Sequence, residues 1–244
     1  MNSGAEHELI DKLFDGLMGT FLEGQLILGG SSGLFAFPTS APAYTEDLDF
    51  YLSEDLVVNR GAEIVKILTE LGYRRQPETP TFSAPGRPSL DLVGYSTTIR
   101  TDHLSPPGPL QVMVFGDLGI ILACPASVAR YPTGRAALSP AGFAAVKLLT
   151  VRVEKGAKDK LQALLVISER SGDASFRGTL SEILGRFGEE TCSDVLADAQ
   201  VAFLSLQKDP TFHDHGAERY ASFLEGLESG YRALAEIVRE SLDG

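Results

Sequence analysis

Asp47 and Asp49, with a third aspartate at Asp91, are the side chains of this chain whose type and spacing best suit chemistry. On a strand, residues i and i+2 face the same side. The α-carbons of Asp47 and Asp49 then lie ~6.6 Å apart, at ~3.3 Å of rise per residue. Two carboxylates converging from that spacing repel each other unless a cation lies between them. Mg²⁺ suits such a pair, because it takes one or two carboxylates and completes its shell with water and phosphate oxygens. Asp91 sits in Ser89-Leu90-Asp91-Leu92-Val93, an apolar run where an unpaired charge is costly. A metal, an outward-facing edge, or a pairing with Arg87 or Arg100 would each account for it. Just upstream, Gly29-Gly30-Ser31-Ser32 interrupts an apolar run. Glycine lets backbone approach a phosphate closely, and serine adds a hydroxyl. The same residues also suit an ordinary strand-to-helix turn.

Elements that would position these groups follow from periodicity. Leu9, Ile10, Leu13, Phe14, Leu17, Phe21 and Leu22 predict an amphipathic helix over 7–23, closed by Gly24. Gln25 to Leu28 predicts a strand, Ser31 to Phe37 a short helix, and 38–42 a loop. Asp47 to Leu52 predicts a strand with Leu48 and Phe50 in the core. Residues 59–71 predict a helix capped by Asn59 and ended by Gly72. Thr81 to Ser83 and Leu90 to Gly94 predict a hairpin turning at Gly86-Arg87-Pro88. Leu110 to Phe115 and Gly119 to Ala123 predict two further strands. At Ser139-Pro140 the character changes: a cap followed by first-turn proline opens a run of Ala, Leu and charge at helical spacing. The expected organisation is α+β, with a mixed α/β domain over 1–138 and a helical domain over 139–244 that completes the cleft.

Leu28-Gly29-Gly30-Ser31-Ser32 followed by Thr45-Glu46-Asp47-Leu48-Asp49-Phe50 resembles the signature of nucleotidyltransferase-fold proteins. Within them it is most similar to the branch of abortive-infection nucleotidyltransferase-like toxins and related bacterial proteins. The resemblance implies a polymerase-beta-like mixed sheet with flanking helices. It implies that Asp47, Asp49 and Asp91 bind two Mg²⁺ ions, or Mn²⁺ in their place, and align a nucleoside triphosphate. It also implies that Gly29, Gly30, Ser31 and Ser32 contact the phosphates. Ala145-Val146-Lys147-Leu148-Leu149 is similar to the family's lysine-bearing helix, which assigns Lys147 to the triphosphate. Lys158-Asp159-Lys160-Leu161-Gln162 is similar to the segment after it. Gln162 stands where the family carries a second acid, and Tyr44 or Thr45 where it carries an arginine. Residues 167–244 gain nothing from the resemblance. The implied activity is transfer of a nucleoside monophosphate to a hydroxyl on a small molecule, a protein or a tRNA end. The alternative is a catalytically weak binding or regulatory module, as in a toxin–antitoxin pair.

Composition bounds these expectations. The net charge of −12 disfavours extended nucleic-acid binding, which rests on phosphate neutralisation. Arg74-Arg75, Arg152, Lys155, Lys158 and Lys160 are the local exception. No apolar run approaches the ~20 residues of a membrane span, and the polar start is unlike a signal peptide, so a soluble cytoplasmic protein is expected. Cys124 and Cys192 are expected as unbridged thiols. A Walker loop would need a lysine that Gly29 to Gly33 lacks. The Asp-x-Asp of haloacid-dehalogenase-like phosphatases follows a buried strand, unlike Ala41-Pro42-Ala43-Tyr44 here. His213 and His215 lack the further ligands of a zinc site. The helical half is expected to hold the acceptor or to form a homodimer or partner contact.

Overall fold

Polar and apolar residues alternate over the first half of Asp47–Ser53 and burial alternates through Ser89–Tyr95, and these two strands form the centre of the sheet in a computed structural model of the chain. The structure describes residues 3–43, 47–77, 79–131, 134–150, 156–208 and 217–243. Arg152, Lys155, His213, His215, Tyr44 and Thr45 lie outside them. The strands are β1 (Ile27–Leu28), β2 (Asp47–Ser53), β3 (Arg74–Arg75), β4 (Thr81–Ser83), β5 (Ser89–Tyr95), β6 (His103–Leu104), β7 (Met113–Phe115), β8 (Val128–Arg130) and β9 (Ala136–Leu138). The helices are α1 (Ser3–Leu17), α2 (Glu54–Glu70), α3 (Gly116–Leu122), α4 (Pro140–Leu149), α5 (Gly156–Arg170), α6 (Ala174–Gly185), α7 (Gly188–Lys208) and α8 (Leu224–Asp243). The architecture is α+β, with a mixed open sheet and a C-terminal helical region.

The chain forms two units. The first comprises Met1–Ala36, Ala43–Gly119 and Val128–Leu138; the second comprises Phe37–Pro42, Ile120–Ser127 and Ser139–Gly244. The helical unit thus takes in two short segments that precede Ser139 in sequence.

In the first unit the sheet runs β3-β4-β5-β2-β1-β9-β8, with β7 beside the end of β5 and β6 beside β7. β2 and β5 are parallel, β1 runs antiparallel to β2, and β9 runs parallel to β1. Leu48, Phe50, Leu90 and Leu92 point to one face and join Leu13, Phe14, Leu17, Ile64 and Leu68 of α1 and α2 in a continuous core. The Phe14 ring meets Phe50 edge-on at 5.8 Å. The opposite face of β2 and β5 carries the half-buried Asp47, Asp49, Ser89 and Asp91.

Several boundaries differ from expectation. α1 ends at Leu17, not 23, because Gly19 and Gly24 take positive φ and the chain turns there. The short helix after Gly30 is 3₁₀, over Ser31–Ala36. α2 begins before Asn59: Ser53 is its cap, its hydroxyl accepting from the Leu56 amide at 3.3 Å. The helix kinks at Arg60 (φ −132°, ψ 17°), whose guanidinium lies 3.4 Å over the Phe21 ring. The hairpin of β4 and β5 forms in the expected place, with Gly86 at φ +69°.

Gly119 to Ala123, expected as a strand, lies largely in helix α3. A short apolar run does not separate the two states by periodicity. The tertiary reason is specific: a Cβ on Gly119 would stand 1.8 Å from the Ser96 carbonyl oxygen, so glycine lets the helix lie directly on that backbone. Asp102 accepts from the Gly116 amide at 3.0 Å and serves the new helix end. Of Leu110 to Phe115, only Met113–Phe115 pairs as strand.

In the second unit, Ser139 caps α4 as expected, its hydroxyl accepting from the Gly142 amide at 3.1 Å, with Pro140 at the first helical position. Phe143, Leu148, Leu161, Leu164, Leu180, Ile183, Leu227 and Leu234 are buried within this unit. α8 crosses α5 closely, since a Cβ on Gly230 would fall 1.9 Å from the Leu164 carbonyl oxygen.

Candidate functional site

The register of β2 and β5 pairs Asp47 with Ser89 and Asp49 with Asp91. Partners in a parallel pair share a face, and neighbouring strands lie about 4.8 Å apart. The aspartates singled out in the sequence therefore stand on one face of adjacent strands. Asp49 and Asp91 are side by side, and Asp47 is one same-face step behind.

Each outer carboxylate is held by a hydroxyl. Thr81 on β4 donates to Asp91 Oδ1 at 2.6 Å, and Ser89 donates to Asp47 Oδ1. A carboxylate oxygen that accepts such a bond is oriented by it. Thr81 and Ser89 were not anticipated from sequence. The hairpin register could have found Thr81, because it stands opposite Asp91 once Gly86-Arg87-Pro88 sets the turn.

Gly29 and Gly30 are required by side chains of β2. A Cβ on Gly29 would stand 2.2 Å from the Tyr51 ring, and one on Gly30 would stand 1.7 Å from Asp49 Oδ2. Gly30 also takes φ +52°, where L side chains are strained. The amides of both are engaged: Gly29 donates to the Asp49 carbonyl at 2.9 Å, and Gly30 donates to the Tyr51 hydroxyl at 2.8 Å. Ser32 is fully buried; its hydroxyl donates to the Gly29 carbonyl at 2.7 Å and accepts from the Asp49 amide at 3.3 Å. Ser31 is buried beside it. Tyr51, on the same face as Asp49, is thus a further member of the site, legible from its i+2 spacing.

As a test of fit for a divalent cation, the donors are hard oxygens, right for Mg²⁺ or Mn²⁺. Their placement fits a site built on the neighbouring Asp49 and Asp91. No group of three or more His, Cys, Asp or Glu among the described residues is gathered so as to hold a metal ion together. Asp47 shares the face but does not close such a group.

Lys147, expected at the phosphates, belongs to the second unit. Its ammonium is buried and ion-paired with Asp159, equally buried, on α5. Lys160 donates to the Leu148 carbonyl, and burial pushes its ammonium below the usual lysine range, against the opposing pull of Asp198 and Asp159. Gln162 donates to the Pro42 carbonyl at 2.9 Å, so the amide at the position expected to be acidic ties down the 37–42 segment of its own unit. Cys124 and Cys192 are unbridged, as expected, and both are buried. No helix among the described residues is long and apolar enough to cross a membrane.

Comparison of the chain with models of protein families, with curated proteins and with solved structures gives no match. The functional reading therefore rests on the site and on the sequence resemblance.

Proposed function

We propose that the first unit is a nucleotidyltransferase-like domain and that the chain is a metal-dependent nucleotidyltransferase acting in the cytoplasm. It moves a nucleoside monophosphate from an NTP to a hydroxyl on a small molecule, a protein or a tRNA end. The observation that carries this is the in-register Asp49 and Asp91 on adjacent parallel strands, with Asp47 on the same face and a glycine turn beneath Asp49. Bound Mg²⁺ or Mn²⁺ supplies neutralisation of the triphosphate and a lowered pKa for the acceptor hydroxyl.

Asp49 and Asp91, with Asp47 on the same face, would hold the cation, which would neutralise phosphate charge there. Asp91, oriented by Thr81, takes the acceptor's proton as the new oxygen–phosphorus bond forms; the bond from the α-phosphorus to its bridging oxygen breaks and pyrophosphate leaves. Ser31, buried beside Ser32, is the hydroxyl that the resemblance places at the phosphates. The Gly30 amide can serve them only by leaving the Tyr51 hydroxyl. Lys147 enters this reading by resemblance alone.

The second reading, a nucleotide-binding or regulatory module with weak catalysis, is favoured by that internal engagement. The Gly29 and Gly30 amides, the Ser32 hydroxyl and the Lys147 ammonium all have partners within the protein. Incubation of the protein with each α-³²P-labelled NTP, Mg²⁺ and lysate fractionated into RNA, protein and small molecules separates the two. Label in one fraction, lost in Asp91→Asn, is the transferase outcome. Nucleotide binding without label in any fraction rejects transfer and leaves the module.

A further inference from the structure

Behind the glycine turn, on the other face of the sheet, the first unit contains a half-open cavity of about 320 Å³. Its walls include Ile10, Phe14, Leu28, Phe35 and Ala137. Leu28 is in register with Phe50 and Ala137, and Phe50 points away from the face bearing Asp49. The cavity is therefore distinct from the carboxylate site. Its volume is at the lower end of small-molecule pockets, roughly 300–1,000 Å³.

The polar part of the wall defines the ligand's charge. Arg135 is paired with Asp11, which also lines the cavity, and with Asp15 at 3.2 Å. These three groups sum to one negative charge. An anionic ligand would meet a guanidinium already neutralised by two carboxylates. A cationic ligand would have to bury its charge against apolar walls. An uncharged molecule incurs neither cost. The Arg135 Nε is buried and has no hydrogen-bond partner. It is closed to water as it stands, and a rotation of the guanidinium would offer its proton to a ligand oxygen.

The cavity also touches both flanks of the turn. Leu28 immediately precedes Gly29, and Phe35 and Ala36 end the 3₁₀ segment that begins at Ser31. Tyr131, at the rim, donates to the Ala36 carbonyl at 2.8 Å and ties that segment in place. We propose that this cavity binds a small, uncharged, largely apolar molecule carrying one hydroxyl or carbonyl oxygen, and that its occupancy shifts the Gly29–Ser32 turn on the opposite side of the strand.

The test is an NMR titration of the full chain, with methyl-labelled Ile and Leu and ¹⁵N-labelled backbone, against 1-naphthol, 1-naphthoate and 1-naphthylmethylamine. No nucleotide is present, so the outcome does not depend on the transferase reading. The expected result is saturable movement of the Ile10 and Leu28 methyls and of the Gly29 and Gly30 amides with 1-naphthol, and affinity about tenfold weaker or less for both charged analogues. Ala36→Leu, at the partly exposed rim, and Ala137→Leu, deeper in, each weaken 1-naphthol binding by about tenfold or more in protein whose unfolding midpoint shows it folded. Unmoved Ile10 and Leu28 methyls, equal binding of the anion, or unchanged affinity in a folded variant would overturn the assignment.

Discussion

Gly30 accommodates the Asp49 carboxylate above its α-carbon, and both the turn and the carboxylate depend on that contact. Gly30→Ala is expected to cost at least about 1–2 kcal/mol from the left-handed backbone alone, read by urea denaturation, and to displace Asp49. Tyr51→Phe removes the acceptor of the Gly30 amide at a buried position. The expected cost is about 1–3 kcal/mol for an orphaned donor, with unchanged or tighter nucleotide binding, because the amide is then available to phosphate. Weaker nucleotide binding in that variant would place the Tyr51 hydroxyl itself on the ligand. Lys147 and Asp159 form a buried pair. Removing one partner, as in Lys147→Ala, is expected to cost about 3–5 kcal/mol, whereas Lys147→Met with Asp159→Leu recovers most of it. Nucleotide affinity in the recovered double variant then reports whether the ammonium serves the phosphates: a loss supports the resemblance, and no loss confines Lys147 to the ion pair.

The elements hold these residues through a few specific joints. His103 on β6 bonds the Thr101 carbonyl at 2.9 Å and Glu54 at the start of α2 at 2.8 Å. The Thr101 carbonyl first, and Glu54 next, raise the imidazole above its ordinary value. A raised folded-state value means that the contribution is fully present below the unfolded pKa, about 6.5, and is lost as pH rises through the folded one. Unfolding free energies of wild type and His103→Gln should therefore differ most in mild acid and converge in mild alkali; a difference that does not depend on pH would contradict this. Much at this scale was legible beforehand. Alternation marked β2 and β5, the glycine turn marked the β4–β5 hairpin, and Ser139-Pro140 marked the start of α4. The exceptions have two causes. Gly119 to Ala123 becomes helical because a distant carbonyl, that of Ser96, needs a glycine against it, and nothing local encodes that contact. β3, β6, β8 and β9 have two or three residues each, too few for a period to appear. At the site, same-face spacing gave Asp47 and Asp49, whereas pairing Asp49 with Asp91 required the register of two strands far apart in sequence.

Across the molecule, a net charge of −12 sets what the chain meets at long range. A protein of this charge is expected to show no salt-sensitive binding to duplex DNA or long RNA at about 50 mM salt, where phosphate contacts are strong; a mobility shift at that salt would reveal a local basic surface that outweighs the total. A metal-neutralised triphosphate escapes the same repulsion, consistent with a site built from carboxylates. Binding of a metal–nucleotide complex at Asp49 and Asp91 is read by thermal unfolding of wild type, Asp49→Asn and Asp91→Asn with NTP, with and without Mg²⁺. A ligand at 100 times its dissociation constant stabilises the folded state by about 2.7 kcal/mol. The expected result is a clear upward shift in wild type only when NTP and Mg²⁺ are present together, absent from both variants. No Mg²⁺-dependent shift in wild type, or an equal shift in Asp49→Asn, would contradict it.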